Sequence, residues 1–193
     1  IISGLYNGVS SMELDNLGIE VSYALSVKHP EYDVLAKRLA ITALHKTTES
    51  SFSAAMDKLQ QNKDSAGKIQ PILSDYVYKF IKKNSTILDA TIDSNRDFLF
   101  DYFGFKTLCK SYLQKVDGQI VERPQYLWMR VACGIHFDDI EAAIQTYHLL
   151  STMQATHATP TLYHSGTVKN QLASCFLLSM KGDRDSVVSM YDT

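Results

Sequence analysis

The sequence predicts a mainly α-helical protein with a small β part. Three observations predict this class. A helix-start signal at Ser10 is followed by apolar residues at three- and four-residue steps. Further segments with the same period recur along the chain, separated by short polar or proline-containing breaks. Between them lies an Asp117-Gly118 pair flanked by short alternating segments, which is a strong signal for a β-hairpin.

The first fifty residues are predicted to contain two helices. Ser10 and Glu13 have the spacing of a capping box. Behind them one helix face is apolar: Leu14, Leu17, Val21 and Leu25. Pro30 ends this helix because proline lacks an amide hydrogen and clashes with the preceding turn. A second helix is predicted to extend to about Leu44, with an apolar face of Val34, Leu35, Leu39 and Ala43.

The middle of the chain is predicted to hold a loop, three more helices and the hairpin. The loop is the polar run at residues 60–67, and the hairpin covers residues 111–122. After the loop, the apolar residues Ile72, Tyr76, Phe80 and Ile81 predict a helix that ends at residues 82–84. Pro124 begins the next helix, whose apolar face is Leu127, Val131 and Ile135. Residues 137–139 then cap a helix that runs to about Met153.

The last part of the chain, residues 156–193, is richer in serine and threonine. Its apolar run Phe176-Leu177-Leu178 is predicted to be a fully buried strand. The chain begins at Ile1 and ends at Thr193 within a predicted helix that has no stop signal. We therefore expect the sequence to be a piece of a longer protein.

Composition excludes several classes of function. The 19 Lys and Arg residues nearly balance 21 Asp and Glu, which does not fit a dedicated nucleic-acid-binding protein. The 3 cysteines are too few for a disulfide scaffold and suit a reducing compartment. No apolar run reaches the roughly 18–20 residues of a membrane span. We expect a cytoplasmic protein with neither nucleic-acid nor membrane partners.

Cys175 is the cysteine with most chemical interest, because it follows Ser174 at the entry of the predicted strand. A thiol in this setting is a candidate nucleophile or one half of a redox pair. The alternative is a buried cysteine that behaves as a small hydrophobic residue. Cys109 and Cys133 are interpreted as structural.

Other candidate site residues give weaker signals. The 6 histidines match no zinc-binding spacing, so no metal site is predicted. The loop at residues 156–161 offers hydroxyls that suit a phosphate, but it also fits an ordinary turn. Asp15 and Lys46 could hold the sugar and phosphate of a nucleotide, or could simply be solvated. Asp183 fits a polar turn in the same way.

Ordered strings along nearly the whole chain carry a family resemblance. They include Gly4-Leu5-Tyr6-Asn7-Gly8-Val9, Leu44-His45-Lys46, Tyr102-Phe103-Gly104-Phe105-Lys106, Glu122-Arg123-Pro124-Gln125, Gly134-Ile135-His136, Thr156-His157-Ala158 and Ser174-Cys175-Phe176-Leu177-Leu178. The chain thereby resembles an N-terminal fragment of the large catalytic subunit of class I ribonucleotide reductase, of the eukaryotic type. The resemblance implies three parts. Residues 1–50 would be the C-terminal part of an ATP-cone, residues 51–170 a helical N-terminal domain with the hairpin, and residues 171–193 the start of a ten-stranded α/β barrel with its first strand.

The resemblance also implies roles for residues of the reaction site. Cys175 corresponds to one of two redox-active thiols that supply electrons and end as a disulfide. Ser174 corresponds to the serine that hydrogen-bonds the substrate ribose. Thr159 corresponds to a Ser or Thr position that helps hold the substrate diphosphate.

Two allosteric sites are implied as well. Asp15 and Lys46 correspond to residues of the activity site, which binds ATP or dATP, although the first basic residues of that cone would precede Ile1. Asp183 corresponds to the aspartate that holds the effector's deoxyribose at the specificity site. Asp185 is its rival, because the segment around it is about two residues longer than in many eukaryotic relatives.

The family reduces ribonucleoside diphosphates to deoxyribonucleoside diphosphates for DNA synthesis by thiol and radical chemistry. The implied partners are a small subunit that carries the radical cofactor, further copies of the large subunit in dimers and effector-induced oligomers, and thioredoxin or glutaredoxin as reductant. This subunit would bind no cofactor itself, only nucleotide effectors. The second thiol and the other catalytic residues would lie beyond Thr193, so the fragment alone would be inactive. The alternatives are a non-catalytic nucleotide-sensing module and a helical interaction module.

Overall fold

The structure, a computed structural model, describes residues 6–177. Its helices are α1 (Ser11–Leu25), α2 (Glu31–Thr47), α3 (Phe52–Gln60), α4 (Asp75–Lys83), α5 (Ser85–Thr91), α6 (Tyr102–Thr107), α7 (Pro124–Ile135), α8 (Ile140–Ser151) and α9 (Thr159–His164). A 3₁₀-helix covers Ser94–Leu99 and a π-helical turn covers Leu108–Tyr112. The predicted mainly α-helical class with a small β part is confirmed. Within this range no helix is long and apolar enough to cross a membrane.

The start of α1 is the predicted capping box. The Ser10 hydroxyl accepts from the Glu13 amide at 3.2 Å, and the Glu13 carboxylate accepts from the Ser10 amide at 2.8 Å. The predicted apolar face is wrong in part, because Gly18, Ile19 and Ser22 are the buried residues. Leu14 is 41% exposed. The side of α1 that packs against α2 therefore carries the small residues Gly18 and Ser22 beside Ile19.

Helix α2 extends beyond the predicted end to Thr47. Its buried residues are Ala36, Ala40, Ile41 and Leu44, while Leu35 of the predicted face is 45% exposed. The buried face is therefore rotated toward the small residues, as in α1. Small side chains at the contact let two helix axes approach each other.

The hydrophobic core is centred on α7. Every residue from Pro124 to Gly134 is buried, whereas the sequence predicted a single apolar face. The difference arises because α7 is surrounded: it contacts α4, α8, α9 and the 3₁₀-helix. The predicted starts of α7 at Pro124 and of α8 behind Asp139 are confirmed, since Asp139 accepts from the Ala142 amide at 3.0 Å.

The predicted hairpin is confirmed but is shorter than expected. Strands β1 (Lys115–Val116) and β2 (Gln119–Ile120) pair antiparallel, with Lys115 opposite Ile120. Asp117 and Gly118 have φ values of 50° and 76°, the left-handed pair that a two-residue hairpin turn requires. The predicted first strand began at residue 111, but residues up to Tyr112 belong to the π-helical turn.

The end of the described chain contradicts one prediction. Phe176 and Leu177 were predicted to lie in a buried strand, but they form no strand and are 71% and 100% exposed. A buried strand needs hydrogen-bonded neighbours on both sides, and residues 6–177 provide none for this segment. Leu178 and the predicted terminal helix lie outside the described residues. Helices α3, α5, α6 and α9 were not predicted, and α9 replaces part of the loop expected at residues 156–161.

Candidate functional site

The structure brings the two predicted activity-site residues together. Asp15 on α1 and Lys46 on α2 are 31 positions apart, and Lys46 Nζ lies 2.7 Å from Asp15 Oδ2. The two side chains are 26% and 57% exposed. An ion pair this exposed contributes at most about 1 kcal/mol to stability. Its charges therefore remain open to a ligand.

A groove of about 680 Å³ lies beside this pair. Helices α1 and α2 form one wall, and α6 with the hairpin forms the other. Besides Asp15 and Lys46, the lining includes Lys106 and Lys115. Three lysines against one aspartate give the groove a net positive character, which suits a phosphate-bearing ligand.

The end of α2 is fastened to the start of α7 by residues that the sequence did not single out. His45 Nε2 lies 2.7 Å from Asp97 Oδ2, and Asp97 is fully buried. The other Asp97 oxygen accepts from the Gln125 amide in the first turn of α7 at 3.1 Å. Arg123 donates to the Thr48 hydroxyl at 2.9 Å and to the His45 carbonyl at 3.2 Å. No sequence spacing indicates these contacts, because the partners are 28 to 78 positions apart.

A buried ion pair fastens α7 to α9. Arg130 and Glu122 are both fully buried, with Arg130 Nε 2.6 Å from Glu122 Oε1. Arg130 also donates to the carbonyls of Ser165 at 2.6 Å and Leu162 at 3.1 Å, at the end of α9. Glu122 accepts from the Gln114 amide at 3.0 Å. The pair thus joins the hairpin, α7 and α9, and the only signal for it in the sequence was an unusual Glu122-Arg123-Pro124-Gln125 string.

Thr159, the predicted phosphate-binding residue, is the first residue of α9 and is exposed. Its Oγ1 lies 3.1 Å from the Tyr112 hydroxyl. The Tyr112 ring stacks on Tyr163 of α9, with centroids 5.0 Å apart and planes 5° from parallel. Sequence reasoning missed Tyr112, which is 47 positions from Thr159.

The segment that carries Ser174 and Cys175 is tied to the same helix. Thr161 Oγ1 donates to the Leu172 carbonyl at 3.3 Å, and His164 Nδ1 lies 3.2 Å from the Gln171 carbonyl. Ser174 and Cys175 follow directly and are exposed. Helix α9 therefore connects the predicted phosphate-binding residue with the segment of the predicted thiol.

The three cysteines differ in their surroundings. Cys175 is a free, exposed thiol, which contradicts the alternative of a buried hydrophobic residue in the part of the chain described. Burial raises the pKa of the Cys109 thiol to about 11 and that of the fully buried Cys133 thiol to about 12. Thiols with such pKa values are poor nucleophiles near neutral pH because the thiolate is the reactive form.

The remaining predicted sites are placed as follows. Asp183 and its rival Asp185 lie outside the described residues. Between residues 6 and 177, no group of three or more His, Cys, Asp or Glu side chains could hold a metal ion. In the same range, no hydrogen bond or ion pair joins the Asp15–Lys46 pair directly to Thr159.

Comparisons with known proteins identify the family. Residues 98–170 match the family described as "Ribonucleotide reductase, all-alpha domain". Together with the 48% identity along the whole chain reported next, this match shows that the chain belongs to the ribonucleotide reductase family. It is 48% identical to the ribonucleoside-diphosphate reductase large chain of Schizosaccharomyces pombe and 48% identical to the large subunit of Caenorhabditis elegans, in each case over 100% of this chain and 24% of the relative. The large subunit of Monkeypox virus is 47% identical, over 100% of this chain and 25% of that protein.

The likeness is thus to large subunits of ribonucleoside-diphosphate reductase, as the resemblance of the motifs implied. The chain spans about a quarter of the length of these curated relatives.

Proposed function

We propose that this chain is part of the large subunit of a ribonucleoside-diphosphate reductase. The parent protein would reduce ribonucleoside diphosphates to deoxyribonucleoside diphosphates for DNA synthesis, under nucleotide control. The observation that carries this proposal is the 48% identity over the whole of this chain to proteins named for that activity. The exposed thiol of Cys175 beside α9 supports it, since the reaction needs a reactive thiol near the substrate.

Cys175 would act as one of two electron-donating thiols. In the balanced step, the ribose 2′-hydroxyl leaves as water, a hydrogen takes its place, and two thiols lose their hydrogens to form a disulfide. Thiol–disulfide exchange with thioredoxin or glutaredoxin would then restore the pair. Ser174, next to the thiol, would hydrogen-bond the ribose, and Thr159 would hold the diphosphate.

Effector nucleotides would bind at two places. Asp15 and Lys46 would hold ATP or dATP in the groove between α1–α2 and the hairpin, where the excess of lysines supports phosphate binding. Asp183, or Asp185 in its place, would hold the deoxyribose of the specificity effector. The large subunit would form homodimers and larger effector-dependent oligomers in the cytoplasm, with a small subunit that carries the radical cofactor.

The test is turnover by the full-length protein with its small subunit. We expect conversion of a radiolabelled ribonucleoside diphosphate to its deoxy form with a dithiol reductant. Cys175→Ser should abolish this turnover while nucleotide binding, measured by equilibrium dialysis, is retained. Cys133→Ala is the matched control, because this buried thiol is remote from solvent and should leave turnover in place.

Three results would contradict the proposal. Normal turnover in Cys175→Ser would exclude the proposed role of this thiol. Nucleotide binding by the wild-type protein without any ribonucleotide reduction would instead favour the nucleotide-sensing alternative, and the absence of both would favour a helical interaction module.

A further inference from the structure

Tyr112 lies against the residue that the proposed function assigns to the substrate diphosphate. Its hydroxyl is 3.1 Å from Thr159 Oγ1, at the exposed start of α9. Both groups are hydroxyls, so either one can donate the hydrogen of this bond. Whether Tyr112 or Thr159 donates therefore depends on the hydrogen bond that a bound ligand requires from Thr159.

A phosphate bound at Thr159 would fix the direction of the bond. Phosphate oxygens of a diphosphate act as hydrogen-bond acceptors, so the Thr159 hydroxyl must donate its hydrogen to the phosphate. The Thr159 oxygen is then left as an acceptor for the Tyr112 hydroxyl. The result is a chain of two bonds, Tyr112 to Thr159 to phosphate, in which each bond polarises and strengthens the other.

The surroundings hold Tyr112 in this position. Its ring stacks on Tyr163 of α9 with the two planes 5° from parallel. Tyr112 ends the π-helical turn, and two residues later Gln114 donates through Nε2 to the Tyr163 carbonyl at 3.0 Å. The backbone N–H of Gln114 in turn donates to the buried carboxylate of Glu122 at 3.0 Å. The Tyr112 hydroxyl is therefore held next to Thr159 before any ligand binds, and this preorganisation lowers the entropy cost of binding.

We propose that Tyr112 is a positioning residue of the substrate site, whose hydroxyl donates to Thr159 so that Thr159 donates to a phosphate of the ribonucleoside diphosphate. This inference rests on the proposed function, which supplies the role of Thr159. It adds a residue from the π-helical turn before the hairpin to a site otherwise formed by α9 and the segment that follows it.

The test compares two tyrosines of the same stacked pair in the full-length protein with its small subunit. Tyr112→Phe removes only the donating hydroxyl and keeps the ring. Tyr163→Phe is the matched control, because the Tyr163 hydroxyl makes no hydrogen bond within residues 6–177. We expect Tyr112→Phe to raise the dissociation constant of cytidine diphosphate in equilibrium dialysis by about 3- to 10-fold, the loss of one ordinary hydrogen bond. The KM should rise in parallel while kcat stays within about twofold of wild type, and Tyr163→Phe should bind as wild type does.

A double-substitution cycle tests whether Tyr112 acts on diphosphate binding through its hydrogen bond to Thr159. Thr159→Val should weaken diphosphate binding, and Tyr112→Phe added to Thr159→Val should cause no further loss. Unchanged binding in Tyr112→Phe, equal losses in both tyrosine variants, or additive losses in the cycle would each overturn the inference. Unchanged binding in Thr159→Val would overturn it together with the role of Thr159. Failure of the proposed function is seen separately, as a wild-type protein that binds the diphosphate without reducing it.

Discussion

The α1–α2 pair and the region around α7 differ in which of their apolar and charged side chains are buried. Helices α1 and α2 meet through small residues, leave large apolar side chains such as Leu14 and Leu35 exposed, and pair Asp15 with Lys46 in contact with solvent. Helix α7 is buried along almost its whole length, and its Arg130–Glu122 pair is fully enclosed. The two ion pairs have similar lengths, 2.7 Å and 2.6 Å, but very different surroundings.

The contrast separates the region that we propose to bind effector nucleotides from a region that supports the fold. Charges that water already solvates can exchange partners with a nucleotide at little cost, which fits the proposed effector groove beside α1–α2. Charges enclosed in the core cannot lose a partner without a large penalty, which fits a framework that fixes α9 and Thr159. The contacts of His45 and Arg123 at the end of α2 connect the two regions.

The largest expected effect is the loss of the enclosed charge. Arg130→Met leaves the Glu122 carboxylate buried without its cation and frees the carbonyls of Leu162 and Ser165, so we expect a loss of about 3–5 kcal/mol. Lys46→Met is the matched control in the exposed pair and should cost at most about 1 kcal/mol. Hydrogen exchange in the full-length protein measures both local free energies, at the α7 and α9 amides for Arg130→Met and at the α1 and α2 amides for Lys46→Met. Equal effects of the two substitutions would contradict the distinction between the regions.

The next effect comes from the close contact of α7 with the end of α9. A Cβ atom on Gly134 would collide with the backbone nitrogen of Gly166 and the Ser165 hydroxyl, and would lie 2.8 Å from Gly166 Cα. Backbone atoms cannot swing aside, so Gly134→Ala should destabilise the protein by about 1–3 kcal/mol, despite the better helix propensity of alanine. Thermal unfolding followed by circular dichroism checks this. A rise in the unfolding midpoint would show that α9 can move away from α7.

The same substitution in α1 should have the opposite sign. A Cβ atom on Gly18 would lie 3.5 Å from Leu39 Cδ1, an ordinary contact distance. Gly18→Ala therefore gains helix propensity without a collision, and we expect stabilisation by about 0.5–1 kcal/mol. Slower hydrogen exchange of the α1 amides would confirm it, and faster exchange would mean that α1 and α2 are packed as tightly as α7 and α9.

The smallest effect is a pH dependence confined to the start of α1. The hydrogen bond from the Ser10 amide, followed by those from the Ser10 and Tyr6 hydroxyls, holds the pKa of Glu13 below its usual value. The folded carboxylate thus binds a proton less readily than the unfolded one. Its stabilisation is present above the unfolded pKa of about 4.3 and is lost as the pH falls through the folded pKa.

We expect exchange of the first α1 amides, corrected for intrinsic rates, to accelerate between about pH 5 and pH 3. Glu13→Gln should weaken this dependence. Glu20→Gln is its control on the same helix, because Glu20 is exposed and makes no side-chain hydrogen bond within the described residues. An unchanged pH profile in Glu13→Gln would exclude the capping carboxylate as its source.

Local signals in the sequence predicted the elements that depend on neighbouring residues. The capping box at Ser10, the left-handed turn at Asp117-Gly118 and the helix starts at Pro124 and Asp139 are confirmed. Each is decided by bonds or torsions within four residues, so sequence spacing is sufficient. The family resemblance, supported by the comparisons, went further than periodicity and drew attention to Thr159 and Cys175.

Periodicity failed where a partner helix decides which side is buried. The faces predicted for α1 and α2 included Leu14 and Leu35, but the structure buries Gly18 and Ala36 instead. The strand predicted at Phe176 is exposed in the described range, because hydrophobicity alone supplies no neighbouring strand. The sequence also gave no sign of Tyr112, whose meaning depends on a residue 47 positions away.

The sequence by itself determined the helical class, the caps, the hairpin turn and, through its strings of residues, the family. Tertiary structure alone decided which charged pairs are enclosed and which residues surround each predicted site. The physical reason is the range of the interactions. Caps and turns close over a few residues, whereas burial of Arg130, the pairing of His45 with Asp97 and the aim of the Tyr112 hydroxyl exist only after distant segments have packed together.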